Sequence, residues 1–238
     1  MEWIQIDAED GTFGARVARP TPSVDLAPVV VVIQEIFGVN ADLRATCREL
    51  SGQGFVAIAP DLFWRAQPRI EMNKLDEEDW KRGFALYQAF DIDRGVRDIA
   101  ATIRAARDLT DASGRVGVTG YCLGGLLSFL TATRHTIDAA VAYYGGGTDR
   151  YVTEGVNLAS PTLLHLAEDD EYIPAPARLR IVSALADNPL VEIHTYPGCN
   201  HAFARHKGAH YNADAAALAN ARTAALFART LLVPIRPH

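Results

Sequence analysis

Basic runs, long apolar stretches and paired cysteines are all missing from this 238-residue chain. No segment reaches the ~18 consecutive apolar residues that suggest a membrane-spanning helix. The opening Met-Glu-Trp-Ile-Gln-Ile-Asp lacks a basic stretch leading into an apolar one. Neither secretion nor membrane spanning is expected. Lys plus Arg number 23 against 29 Asp plus Glu, a formal net charge of −6, so nucleic acid is not expected as a partner. The three cysteines, Cys47, Cys122 and Cys199, are scattered and odd in number. That favours reduced thiols and a cytoplasmic location over a disulfide framework. Internal repeats, low-complexity tracts and linkers are also lacking. With 49% hydrophobic and 22% charged residues, the expectation is one domain over residues 1–238 around a single core.

What the chain does have is alternation of strand and helix patterns. Residues 2 to 7 and 12 to 19 alternate apolar and polar about Asp10-Gly11, which predicts a hairpin of two edge strands. Val29-Val-Val-Val-Ile33 is a continuous β-branched run, the mark of a central parallel strand covered on both faces. Leu43, Cys47 and Leu50 recur at helical spacing, and Phe55 to Ala59 is the next strand. From about 62 to 90 the pattern loosens into an aromatic and acidic insertion that follows a strand's carboxyl end, where covering segments are common. Ile92, Val96, Ile99 and Ile103 then mark an amphipathic helix. Strands follow at 115–119, 137–144, 161–167 and 190–196, with helices after Gly124, after Pro174 and from near Ala213 to Leu232. The fold class read from this is α/β: a doubly wound, mostly parallel sheet with helices on both faces and its sites at the strands' carboxyl ends. The C-terminal helix, with Leu218, Leu226 and Leu231, is expected to pack on the sheet and leave a monomer.

The most informative stretch is Gly120-Tyr-Cys-Leu-Gly124, which has the spacing of a G-x-S-x-G nucleophile elbow with cysteine in place of serine. Glycines two residues to either side let a strained strand-to-helix turn close. The Leu123 N–H then faces any oxyanion formed at the sulfur's target. Taken alone, the same residues also suit a tight turn carrying a buried cysteine. Three further groups fall at strand ends: Glu35, Asp170 and His201. The order nucleophile, acid, histidine is the chain order of α/β-hydrolase triads. Asp169 is an adjacent alternative to Asp170.

Other readings are weaker. Cys199, His201, His206 and His210 crowd one segment, but their spacing fits no zinc signature, and no metal or organic cofactor is expected. Gly117, Gly120 and Gly124 do not form G-x-G-x-x-G, and no Gly-Lys-Ser/Thr follows. A non-catalytic ligand-binding or thiol-sensing protein of the same fold is the alternative from another class.

The segments Gln34-Glu-Ile-Phe-Gly-Val-Asn40, Ala59-Pro-Asp-Leu62, Gln88-Ala-Phe-Asp91, Val118-Thr-Gly-Tyr-Cys-Leu-Gly-Gly125, Tyr143-Tyr-Gly145, Ile173-Pro-Ala-Pro176 and His201-Ala-Phe-Ala-Arg205 resemble the dienelactone hydrolases (carboxymethylenebutenolidases), which are α/β-hydrolases with a Cys-His-Asp triad. The resemblance implies Cys122 as nucleophile, His201 as base, Asp170 as the group orienting it, and Glu35 as a carboxylate holding the resting thiol. It adds the Ile36 N–H to that of Leu123 as the oxyanion hole. It further implies a small lactone or ester substrate bearing a carboxylate, as in the breakdown of aromatic compounds, with Arg205, Phe37 and Tyr143 among its contacts. The chain departs from the family at a second substrate arginine: counting back from Gln88 places Trp80 there, beside Lys81 and Arg82.

Overall fold

The computed structural model describes residues 1–21 and 26–232. In chain order the elements are β1 (Glu2–Ala8), β2 (Gly11–Ala18), β3 (Ala27–Ile33), α1 (Ala41–Gly52), β4 (Val56–Pro60), α2 (Glu77–Gln88), α3 (Ile92–Arg107), β5 (Ala112–Tyr121), α4 (Leu123–Arg134), β6 (Ala139–Tyr143), β7 (Thr162–Ala167), α5 (Ala175–Leu185), β8 (Val191–Tyr196) and α6 (Ala213–Leu231). Short 3-10 turns at Thr148–Arg150 and Val152–Asn157 follow β6. The strands form one sheet in the order β1-β2-β4-β3-β5-β6-β7-β8.

From β4 to β8 every neighbouring pair is parallel, as the buried β-branched runs predict. The N-terminal hairpin is antiparallel, but two details differ from expectation. Ala8 pairs with Gly11, so the two-residue turn is Glu9-Asp10. Of the two hairpin strands only β1 is an edge, because β2 also pairs with β4. The alternating pattern of β2 reports one apolar face; it carries no information on whether a second neighbour completes the ladder.

Two apolar layers sandwich the sheet. One holds Val96, Ile99 and Ile103 of α3, Leu126, Leu127 and Leu130 of α4, and Ile181 of α5. The other holds Leu43, Cys47 and Leu50 of α1 with Leu226, Phe227 and Leu231 of α6. Truncating one of these fully buried side chains to Ala costs about 2–5 kcal/mol. α4 is buried from Leu123 to Thr133, a helix enclosed on all sides that fixes the chain after Cys122.

The insertion is tied down along its length. Asp98, 1% exposed on α3, accepts from Trp64 Nε1 at 3.0 Å and from Arg65 at 2.6 and 3.0 Å. Farther along, Glu71 bridges Gly38, and the Met72 N–H donates to the Phe37 carbonyl. Lys74 reaches Asp42 at 2.5 Å and also the His206 carbonyl. α2 then presses on the segment after β3: a Cβ on Gly83 would lie 2.8 Å from the Ile36 carbonyl oxygen.

Candidate active site

Cys122 turns the chain alone between β5 and α4, at φ 56° and ψ −116°. Such a conformation costs a non-glycine residue of order 1–3 kcal/mol and persists only where its surroundings hold it. Here the Cys122 N–H donates to the Tyr143 carbonyl at 3.1 Å, and its own carbonyl accepts from Gly125 and Leu126 at 2.9 and 3.2 Å. The flanking glycines are a steric requirement. A Cβ on Gly120 would fall 2.2 Å from the Gly124 carbonyl oxygen, and one on Gly124 would fall 2.4 Å from that of Ile33. This close approach brings the first turn of α4 against the end of β3. The Leu123 and Ile36 amides donate no hydrogen bond among the described residues. Both are thus free to receive an anionic oxygen.

The acid and the histidine meet from two other strand ends. His201 Nδ1 lies 2.9 and 3.0 Å from the two carboxylate oxygens of Asp170. Asp170 is itself fixed, its Oδ1 accepting from the Tyr172 and Ile173 N–H groups at 2.8 and 3.2 Å. The alternative, Asp169, uses its N–H on the Cys199 carbonyl at 2.9 Å and so ties the acidic turn to the histidine loop. Residues His201 and Asp170 are buried, and His201 Nε2 has no hydrogen-bond partner. Burial works against charge on this imidazole, but its interactions with the neighbouring Cys122 and with the Asp170 carboxylate outweigh it and raise its pKa to about 10.

Glu35, expected to hold the resting thiol, makes no hydrogen bond to Cys122 among the described residues. Its two oxygens take Arg205 Nε and Nη2 at 2.8 and 2.9 Å, in a bidentate pair whose side chains are 10% and 9% exposed. The carboxylate's charge is therefore offset, and the fork geometry of the guanidinium makes the pairing specific. Arg205 also lies 5.2 Å from the Phe37 ring centroid and 5.6 Å from that of Trp80. Arg205, expected to hold a substrate carboxylate, is paired here with Glu35 through Nε and Nη2.

The remaining expected contacts divide. Phe37 is fully buried, its ring edge-on to Trp80 at 4.9 Å, so it supports Arg205 and presents no surface. The Trp80 indole N–H is bound to the Lys74 carbonyl at 2.6 Å. Tyr143 points to the other layer, its hydroxyl on Asn220 and Thr223 at 2.9 and 2.6 Å. Lys81 pairs with Glu78 and Glu77 on the exposed face of α2, and Arg82 with Gln67. One face of a helix cannot turn Trp80, Lys81 and Arg82 toward the same point, and the two cations take the solvent side. His206 packs on Tyr211, and His210 Nδ1 meets the His201 carbonyl at 3.1 Å; among the described residues no three His, Cys, Asp or Glu side chains gather as a metal-binding group.

Sequence reasoning missed two aromatic residues. The Tyr172 ring lies edge-on to His201 at 4.7 Å. Tyr87 of α2, half-buried, feels the charge at Cys122, and burial first and that charge second push its hydroxyl's pKa up. The position of Tyr172 two residues past Asp170 was the available signal; Tyr87 sits in an aromatic-rich insertion with nothing to single it out.

These features agree with known proteins. The sequence profile of the Dienelactone hydrolase family matches residues 13–231. A carboxymethylenebutenolidase of Pseudomonas putida is 43% identical over 222 residues, 93% of each chain. Carboxymethylenebutenolidase 1 of Cupriavidus pinatubonensis is 38% identical over 218 residues, 92% of each chain. A Klebsiella pneumoniae protein solved as a candidate dienelactone hydrolase superposes with a TM-score of 0.84 at 29% identity, covering 96% of this chain and 98% of its own. With its α/β-hydrolase sheet, its cysteine elbow and similarity along nearly its whole length, the chain belongs to the dienelactone hydrolase family and is a hydrolase.

Proposed function

We propose that the chain hydrolyses a small lactone or ester through a thioester on Cys122, as a single-domain, monomeric, cytoplasmic enzyme of aromatic-compound breakdown that needs no cofactor. The observation that carries the chemistry is the buried, unpartnered Nε2 of His201, on a ring whose Nδ1 is anchored by Asp170. In the first step the Cys122 sulfur adds to the carbonyl carbon, and the resulting oxyanion takes the N–H groups of Leu123 and Ile36. Collapse breaks the carbonyl carbon to ring-oxygen bond, and the leaving oxygen receives the Nε2 proton. His201 then deprotonates a water that attacks the thioester. The thiolate departs with its electron pair, and the released acid leaves Cys122 and His201 as they began.

The substrate class is drawn more narrowly by charge. Arg205 Nη1 makes no hydrogen bond to a described residue, so a substrate carboxylate can share the guanidinium with Glu35. An acidic lactone is therefore preferred over its neutral methyl ester. Tyr87 and Tyr172 supply aromatic walls for an unsaturated ring.

The test is hydrolysis of p-nitrophenyl acetate and of an enol-lactone carboxylate by the native enzyme and by Cys122→Ala. Turnover lost in the variant, with an acyl adduct on Cys122 seen by mass spectrometry, supports the reading. Absence of turnover with any activated ester favours a ligand-binding or thiol-sensing protein.

A further inference from the structure

A hydrogen bond at one nitrogen fixes a point on an imidazole and leaves the tilt of the ring about that point open. Asp170 takes His201 Nδ1, and no described residue takes Nε2. The χ2 torsion of histidine has broad minima, so it does not set the tilt either. In the proposed hydrolysis Nε2 gives a proton to the leaving oxygen and, once neutral, takes one from water, and both transfers depend on its direction. Packing must supply what the hydrogen bond leaves free.

Two tyrosines supply it. The Tyr172 ring lies 4.7 Å from the imidazole at an interplanar angle of 67°, and the Tyr144 ring lies 5.1 Å from it at 64°. Both fall within the ~4.5–7 Å over which aromatic rings attract edge to face. They arrive from different strand ends, Tyr144 after β6 and Tyr172 after β7. Each is also tied to a second member of the triad. The Tyr172 N–H donates to Asp170 at 2.8 Å, and the carbonyl of Tyr143, the neighbour of Tyr144, takes the Cys122 N–H at 3.1 Å. A Cβ on Gly146 would lie 3.4 Å from that of Tyr172, so the turn after β6 backs this residue as well. The backbone is strained at the same place: Cys122 at φ 56°, Tyr144 at φ 37° and Ala202, next to His201, at φ 61° are all left-handed without being glycine. Such conformations persist where the surroundings over-determine them, and they gather at active sites.

We propose that Tyr172 is a positioning residue for the base: its ring, with that of Tyr144, holds the tilt of the His201 imidazole through both proton transfers. The consequence for turnover rests on the proposed hydrolysis; the orientation of the ring does not. Tyr172 is 49% exposed and can be replaced without emptying the core, whereas Tyr144 is fully buried.

The test compares Tyr172→Leu and Tyr172→Phe with the native enzyme on p-nitrophenyl acetate and on 2,2,2-trifluoroethyl acetate, which has no ring to stack. The leucine variant should lose about tenfold or more in kcat on both esters with KM within about twofold. Phenylalanine should restore most of that loss, because the Tyr172 hydroxyl makes no hydrogen bond to a described residue. In proton NMR the Nδ1–H shared with Asp170 should give a resolved downfield signal in the native enzyme, retained in Tyr172→Phe and broadened in Tyr172→Leu. That signal needs no turnover, so it reads the orientation even if neither ester is hydrolysed, an outcome that would count against the hydrolysis alone. A leucine variant with native kcat and a sharp signal, a rise in KM confined to the ring-bearing ester, or a phenylalanine variant as slow as the leucine one overturns the inference. The second outcome would leave Tyr172 as a substrate wall, and the third would move its role to the hydroxyl. Should Tyr172→Leu melt early, Tyr172→Ala decides, since it adds no bulk at a half-exposed position.

Discussion

Replacing Arg205 with Met, a side chain of similar reach without charge, leaves the Glu35 carboxylate about nine-tenths buried and unpaired. Removing one partner of such a pair costs about 3–5 kcal/mol, because the remaining charge loses its counter-ion without regaining water. The lost stacking over Phe37 and Trp80 adds about 0.5–2 kcal/mol, part of which the Met packing returns. For a chain of this length, about 2–4 °C accompanies each kcal/mol, so the melting temperature should fall by roughly 6–20 °C. Glu35→Gln strands the guanidinium and should cost a similar amount. The double variant carries no buried charge and should lie well above the sum of the two losses, with a coupling of about 2–3 kcal/mol. Activity should follow the same pattern. The unpaired carboxylate of Arg205→Met opposes a thiolate at Cys122, and restoring neutrality with Glu35→Gln removes that opposition. The assay is urea and thermal unfolding of the four proteins, with kcat/KM for p-nitrophenyl acetate measured beside it. Stability losses that add within about 0.5 kcal/mol would refute the reasoning, since independent sites behave that way.

Three further outcomes are expected. Asp170→Asn should lower kcat by about two to four orders of magnitude, less than His201→Ala or Cys122→Ala, while Asp169→Asn keeps most turnover; the reverse ranking in steady-state assays would reassign the acid. His201 should stay protonated through neutral pH and titrate near 10 by NMR, and Cys122→Ala should lower that pKa by removing the largest of the contributions that raise it. Because the folded value exceeds the ordinary ~6.5, the stability this group contributes is complete below that pH and is lost as pH rises through about 10. Gly124→Ala should abolish activity and cost several kcal/mol, because its Cβ meets the carbonyls of Ile33 and Gln34 at 2.4 and 2.7 Å; unchanged denaturant midpoints would show that the elbow gives way.

Local chemistry explains what could be read in advance. The strand at Val29–Ile33, the helix marked by Ile92, Val96, Ile99 and Ile103 and the elbow at Gly120–Gly124 each follow from a few adjacent side chains, and they stand where the patterns put them. The pairing of β2 with β4 depends on a partner about forty residues away, so no local pattern reveals that β2 is interior. The same is true of the Glu35–Arg205 pair, whose members stand 170 positions apart. Arg205 near the site was legible; which anion it would satisfy was not. Asp170 is preferred to Asp169 on the family resemblance; the physical basis, a turn that aims one carboxylate at His201 and spends the other residue's amide on Cys199, is not local in the sequence.

The anchored insertion bears on how the enzyme spends time between turnovers. Fastened through Asp98, Glu71 and Lys74, the segment over the β3 end behaves as a fixed wall, and its amides should exchange with solvent only when neighbouring parts of the sheet open. A site bounded by such a wall would need no ordering of its own chain to receive a ligand, so the entropy of loop closure would not subtract from affinity. Encounter rates should then respond to the size and charge of the incoming molecule more than to solvent viscosity acting on a hinge. A bulky ester would be turned away at the rim, where a hinged cover would have let it in.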